Sequence, residues 1–518
     1  MVGVAGKSKA CHDCRRRRVK CDLTLPLCLR CAKAGIACRG YKQSTLWIHR
    51  TPACPNVTAF SVITDLRSQE PTPQISAASM WLDLIQRMYT RLNSNGLPYD
   101  ITTFRLEALH IAQSIYFPRS SVIANSNDIS LLPSSWLTVI CEMQRPNDAL
   151  DNSLLAFCAI QIRLSGKASF SYHETVRLYN HALSKTITIL DSPRVANSDE
   201  VLAAIVILST CEVFLLHAST SWNAHAQGIS EILYRRCIPE KTSLNWTNLC
   251  RRLCIICVIQ ALFQRRSLIL EPDIWRQHIG LPVALGSFSK FLDIIIDIPS
   301  VMAGAHTLML HKETDLKQSL QCFSLLHQKF RDLDHWRELH HRSTTAYIQG
   351  PLYWSVLSRA NNPTDDGYVD KLFPFALMFS SVESACAWVL CSTIMLDVLY
   401  TISLLGLSNV SNDKTLPSLT DIIEDKIPEY NASNISSIGL TDADRLARML
   451  CQSIEFCYRR VNGTFGPQMT SYTQSILLRY VSYRGLNREL EWCIAIKDMR
   501  GPGTNFDVNV RQFGSAPP

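Results

Sequence analysis

The chain has 518 residues, 47% of them apolar and 19% charged, which is too long for one small core and too apolar for a mainly disordered protein. Its net charge of +8 is concentrated: residues 1–50 carry twelve Lys or Arg against Asp13 and Asp22, a local +10, and the remainder carries −2. That asymmetry points to a polyanionic partner at the N-terminus, nucleic acid first and an anionic membrane second.

Twenty cysteines in a small secreted chain would suggest disulfides, but no charged-then-apolar signal segment opens this sequence. Reduced thiols in an intracellular compartment are therefore expected. Sequons such as those at Asn56 and Asn462 then carry no information.

After a basic arm at 1–10, the cysteines fall as Cys11-x2-Cys14-x6-Cys21-x6-Cys28-x2-Cys31-x6-Cys38, two near-identical halves. A Cys-x2-Cys pair lets two thiolates reach one metal from a single turn, and the later cysteine of each half closes the site. Two tetrahedral zinc ions need eight ligand positions, so six sulfurs suffice only if two of them bridge both metals. By the repeat symmetry the bridging pair is Cys11 and Cys28. One ion is then held by Cys11, Cys14, Cys21 and Cys28, the other by Cys28, Cys31, Cys38 and Cys11. The segment has almost no apolar residues to form a core, so its folding is expected to depend on the metal.

This spacing resembles the fungal binuclear zinc cluster family of transcription factors over residues 11–38, as do the basic run Arg15-Arg16-Arg17-Arg18-Val19-Lys20 and Pro26 in the joining loop. The resemblance implies double-stranded DNA as partner, with the basic helix after the first Cys-x2-Cys docked in the major groove. By position, Arg17 and Arg18 match base-reading residues, and Arg15, Arg16 and Lys20 match backbone-contacting or helix-supporting ones. Position 18 is more often lysine in the family. Arginine still offers a fork to guanine O6 and N7, so CGG-like half-sites are implied. The alternative is a zinc-stapled protein-interaction module whose arginines form a solvated face. A nuclear-localisation role for the basic run is compatible with either.

Residues 39–79, with Pro52, Pro55, Pro71 and Pro73, read as a linker. No heptad pattern survives there, so a coiled-coil homodimer is not indicated. Residues 80–500 carry helical spacing, as in Tyr179, Leu183, Ile187 and Leu190, and Asn197 with Glu200 forms a capping box ahead of Val201. The fold expected is mainly all-α: a small binuclear cluster followed by a large body of antiparallel helices. Ser198-Asp199-Glu200, then Trp222, His225 and Gly228, then Arg448–Cys457 with Gly466-Pro467-Gln468, resemble the fungal-specific regulatory domain that accompanies this cluster. That likeness implies regulation, through the transcription machinery or co-regulators, and not catalysis. Residues 501–518 read as a tail.

Several segments in the helical region imitate other chemistry. The apolar run Ala385–Leu407 has the length of a membrane span, but Asp397 near its middle argues for a buried helix, and Leu253–Phe263 is shorter still. Cys254-x2-Cys257 lacks a second pair, and His335, His340 and His341 lack ligand spacing. Asp365-Asp366-x3-Asp370 has the look of a loose metal motif of an all-α terpene cyclase, but its second half is absent. No phosphate loop or nucleophile elbow appears, so no enzyme and no catalytic residue is expected. Leu416–Tyr430 is an acidic-apolar stretch of either activation or ordinary loop type, and no motif marks a ligand pocket.

Overall fold

The computed structural model describes residues 10–22, 28–36, 38, 77–93, 100–118, 135–166, 170–190, 198–215, 228–230, 232–234, 244–280, 287–310, 316–348, 350–367, 371–410 and 432–510. The chain divides into two compact units, Met1–Pro73 and Gln74–Pro518. In the first, two short helices are described, α1 (His12–Arg16) and α2 (Leu29–Lys33).

The second unit is helical. Its first half comprises α3 (Ala77–Leu92), α4 (Ile101–Ile111, continuing as a wider π turn through Tyr116), α5 (Ser135–Cys141), α6 (Asp148–Leu164), α7 (Tyr172–Leu190) and α8 (Asp199–Glu212). Side-chain caps explain several starts: Asp100 accepts from the backbone of Thr102 and Thr103, Asn147 from Leu150, and Ser198 from Val201. The cap of α8 is thus Ser198. Asn197 of the expected capping box lies outside the described residues.

Helix α6 packs on α7 and α8, with α4 and α3 also against it. The face α7 buries consists of Thr175, Tyr179, Ala182 and Thr186, whereas Ile187 is 53% exposed. The buried face is thus centred on small and polar residues rather than on the apolar spacing of Leu183 and Ile187. Tyr179 is anchored through its hydroxyl, which donates to Glu212 Oε1 at 2.6 Å.

The second half contains α9 (Leu244–Gln264), α10 (Pro272–His278), α11 (Ser287–Leu310), α12 (Leu316–Ile348), α13 (Val382–Val410), α14 (Ala432–Cys457), α15 (Phe465–Met469), α16 (Ser471–Tyr483) and α17 (Asn487–Ile494). Between α12 and α13 runs a two-stranded antiparallel sheet, β1 (Tyr353–Leu357) and β2 (Phe375–Phe379), in the register Tyr353 to Phe379 and Leu357 to Phe375. No alternating pattern announces these strands, because Trp354, Leu357 and Phe375 face outward and break the polar-out expectation. The fold is otherwise the mainly all-α body expected.

Among the described residues, three helices are long and apolar enough to cross a membrane: Asn245–Gln264, Ser287–Leu310 and Val382–Leu405. Inside this body their apolar windows are 72%, 44% and 78% buried. Asp397, fully buried on α13, is held by Arg265 through two contacts of 2.9 and 2.6 Å and accepts the Tyr472 hydroxyl at 2.8 Å. A second buried pair, Arg105 with Asp151 at 3.0 Å, ties α4 to α6. Each carboxylate is compensated by a guanidinium, which permits its burial.

Two glycines, one before α15 and one in its first turn, permit close backbone contacts there. A Cβ on Gly463, at φ 60°, would lie 2.4 Å from the carbonyl oxygens of Ile115 and Tyr116, and one on Gly466 would lie 1.9 Å from that of Cys457. Packing then continues past the boundary expected at 500: Asn505 donates to Tyr458 O at 2.8 Å, Phe506 stacks on Tyr458, and Val508 and Val510 are buried. A tail beginning at 501 is corrected accordingly, since apolar residues up to Val510 belong to the core.

Candidate metal centre

In the first unit the two halves of the cysteine repeat adopt the same backbone, seventeen residues apart. Arg17 N donates to Asp13 O at 3.0 Å and Ala34 N to Arg30 O at 3.2 Å; Val19 N reaches Cys14 O at 3.0 Å and Ile36 N reaches Cys31 O at 3.0 Å. These are the bonds of a helix closed by a left-handed residue. In the second half that residue is Gly35, at φ 64°; in the first it is Arg18, at φ 52°. The conformation is ordinary for glycine and costs an arginine about 1 kcal/mol.

Six sulfurs converge between the halves. Those of Cys11, Cys14, Cys21 and Cys28 lie within 4.8 Å of one another, as do those of Cys11, Cys31 and Cys38. Cys14 and Cys28 are 3.6 Å apart, Cys21 and Cys28 3.5 Å, and Cys11 and Cys31 3.8 Å. A tetrahedron of Zn–S bonds of ~2.3 Å has an edge of ~3.8 Å, so the sulfurs stand at the spacing zinc requires. Cys14 and Cys31 also lie 3.8 Å apart, which makes the six sulfurs one continuous knot.

Backbone amides turn toward the sulfurs with the same symmetry: Cys11 N donates to Cys21 Sγ and Cys28 N to Cys38 Sγ, both at 3.5 Å, and Cys14 N donates to Cys11 Sγ at 3.3 Å. Such donors stabilise thiolate charge. Cys11, Cys14, Cys28 and Cys31 are fully buried, and that burial pushes the thiols of Cys11, Cys14 and Cys31 upward, Cys31 to about 12. As thiolates they need a cation. Among the described residues only these cysteines form a cluster of metal-ligating type.

The basic run surrounds the first half. Arg15 and Arg16 belong to α1, Arg17 and Arg18 to the turn that ends it, and Lys20 to the extended segment beyond. The expected basic helix is thus a helix of five residues followed by a tight turn, because the left-handed Arg18 stops it. Arg16, Arg17, Arg18 and Lys20 are exposed, and Arg16 lies 3.8 Å from the buried Asp13. The side chain of Arg15 lies outside the described residues, as do Pro26 and the arm at 1–9. The spacing argument missed the supports between the halves: Arg30 N donates to Asp22 Oδ2 at 2.7 Å, and its guanidinium donates to Lys20 O at 3.1 Å. Only their place in the repeat, between ligands, signals them.

The segments that imitate other sites do not assemble. Cys254 and Cys257 are buried on α9, with burial raising both thiols, Cys257 to about 12. His340 stacks on Trp336 while His341 meets Tyr353 edge-on, so the histidines do not converge. Asp365 accepts from the backbone of Asn362 and Leu372 at 3.3 and 3.2 Å, which makes it a loop fastener. Asp370, Trp222, His225, Leu416–Tyr430 and linker residues 39–76 lie outside the described residues.

Residues 9–48 match the family described as the fungal Zn(2)-Cys(6) binuclear cluster domain. The chain is 46% identical over 43 residues to the acriflavine sensitivity control protein acr-2 of Neurospora crassa, covering 8% of this chain and 7% of that protein. Over 34 residues it is 56% identical to the transcriptional regulatory protein moc3 of Schizosaccharomyces pombe, covering 7% of each. The similarity thus spans a small fraction of either relative's length. No solved structure gives a significant match.

Proposed function

We propose that this chain, whose N-terminal module is a Zn(2)-Cys(6) binuclear cluster domain binding two zinc ions, is a sequence-specific DNA-binding regulator of transcription by RNA polymerase II, acting in the nucleus. The observation that carries this reading is the pairing of a six-sulfur knot with the exposed Arg16, Arg17, Arg18 and Lys20 on one half of it. Similarity to a transcriptional regulatory protein over the same segment supports it.

In this reading Cys11 and Cys28 bridge the ions, while Cys14 and Cys21 complete one site and Cys31 and Cys38 the other. Two zinc ions would offset four of the six thiolate charges, and the cysteines that hold them flank the turn that carries Arg18. Arg17 and Arg18 face base edges of a CGG-like half-site; Arg15, Arg16 and Lys20 fix the module on phosphates. Residues 11–38 are the DNA-binding domain, 39–79 a tether, and the helical body a regulatory domain that engages co-regulators. Control of a metabolic or biosynthetic gene cluster is the pathway-level form of the same proposal.

Selection from random duplex DNA with the zinc-loaded chain, repeated after chelation, tests this. The expected result is zinc-dependent enrichment of CGG-like triplets, with a fixed spacing if two copies bind. If the folded, zinc-loaded chain enriches no sequence, the reading fails, and a zinc-stapled interaction module replaces it. Arg17→Ala with Arg18→Ala separates the two, since it abolishes selection in the first case and is silent in the second.

A further inference from the structure

Among the described residues of the helical body, one part-buried cation has no carboxylate partner. Arg252, on α9, is partly buried, and its guanidinium carbon lies 5.6 Å from the centroid of the Trp136 ring. Its Nε is buried without a hydrogen-bond partner, and no carboxylate among the described residues stands within ion-pair distance. By contrast, Arg105 and Arg265 are each matched to an aspartate. A buried guanidinium N–H left without an acceptor is costly, so such a group favours an anion beside it.

Arg252 lines a partly open cavity of about 90 Å³ between α8, α9, α13, α15 and α16. Its walls are largely apolar: Val213, Ile255, Ile256, Ile259, Leu390 and Met469. A second donor stands on the rim. Gln468 accepts the Tyr116 hydroxyl on Oε1 at 2.6 Å, which orients the amide and leaves its nitrogen as the unengaged end. One cation, one amide donor and branched aliphatic walls are complementary to a small molecule with one carboxylate and a short aliphatic body. A larger cavity of about 390 Å³ near Tyr353 and Trp388 is lined by charges of both signs: Asp334 pairs with Arg337 at 2.6 Å and Glu338 with Arg342, and Asp442 and Arg445 add one of each. It selects no ligand charge.

We propose that the cavity beside Arg252 is a binding site for a short-chain aliphatic monocarboxylate, its carboxylate on Arg252 and the Gln468 amide and its alkyl end among Ile255, Ile256 and Ile259. The site does not depend on the DNA-reading proposal, because its direct readout is ligand binding by the helical body.

The test uses the full zinc-loaded chain with isobutyrate and its neutral isostere isobutyramide, followed by thermal unfolding and saturation-transfer NMR. Isobutyrate is expected to raise the unfolding temperature saturably, and the amide to have no effect at equal concentration. Arg252→Met should weaken isobutyrate binding about ten-fold or more, with Arg252→Lys retaining part of it. Equal effects of acid and amide, an unchanged response in Arg252→Met, or no response to isobutyrate and the longer hexanoate would each overturn the proposal. If Arg252→Met does not fold, Ile259→Phe, which fills the cavity from its apolar side, should abolish the response; an undiminished response there also overturns it.

Discussion

At the scale of single residues, the two left-handed positions of the cysteine repeat would, on the proposed DNA-reading role, separate stability from recognition. Gly35 occupies its turn without strain, and Arg18 occupies the equivalent turn against its preference. Such strain persists where the surroundings over-determine it and function benefits. Arg18→Gly is expected to leave resistance to chelators unchanged or raised by about 1 kcal/mol, while site discrimination falls by about 1–3 kcal/mol in DNA titrations. Parallel losses of both would refute the division of roles. The helical body offers a matched pair of glycine tests. Gly466→Ala drives a methyl into the Cys457 carbonyl and should cost about 3 kcal/mol or more in denaturant unfolding. Gly304→Ala, in open space on α11, should instead add about 0.5–1 kcal/mol.

At the scale of elements, the buried Arg265 and Asp397 join the end of α9 to the middle of α13. Arg265→Met alone strands a carboxylate and should cost about 3–5 kcal/mol. The double variant with Asp397→Leu is expected to recover most of that loss, measured by the same unfolding curves. Asp397 was legible as the residue that makes an apolar run a core helix, but its partner, 132 positions away, was not. The cysteine spacing was fully legible, because ligand geometry is local. The helical spacing of α7 was legible, but which of its faces is buried was not, since Thr175, Ala182 and Thr186 are buried while Ile187 is exposed. The Arg252 cavity left no local trace, being assembled from five helices whose residues are far apart in the chain.

At the scale of the whole molecule, the cluster and its charge set how the protein responds to pH and salt. With the Cys31 thiol raised to about 12 and those of Cys11 and Cys14 also raised, zinc must displace protons at neutral pH. Acid therefore favours the protonated, metal-free form: apparent zinc affinity falls as pH falls, by about one decade per pH unit for each proton released. A zinc-competition titration between pH 8 and pH 5, about neutrality on either side, reads that slope. The +10 of residues 1–50 should make DNA affinity fall steeply with salt, and Arg16→Ala should reduce the logarithmic slope by about one. The repeat has a last consequence. Its backbone repeats after seventeen residues, yet five of the six residues after Cys14 are basic and only Lys33 is basic among the six after Cys31. On the proposed DNA-reading role, the module would be a symmetric frame with a single reading head, meeting DNA with a defined heading. Moving Arg15–Lys20 into positions 32–37, and the displaced residues into 15–20, should yield a reader of the same triplet that travels facing the other way, carrying everything C-terminal to it to the opposite flank of the site.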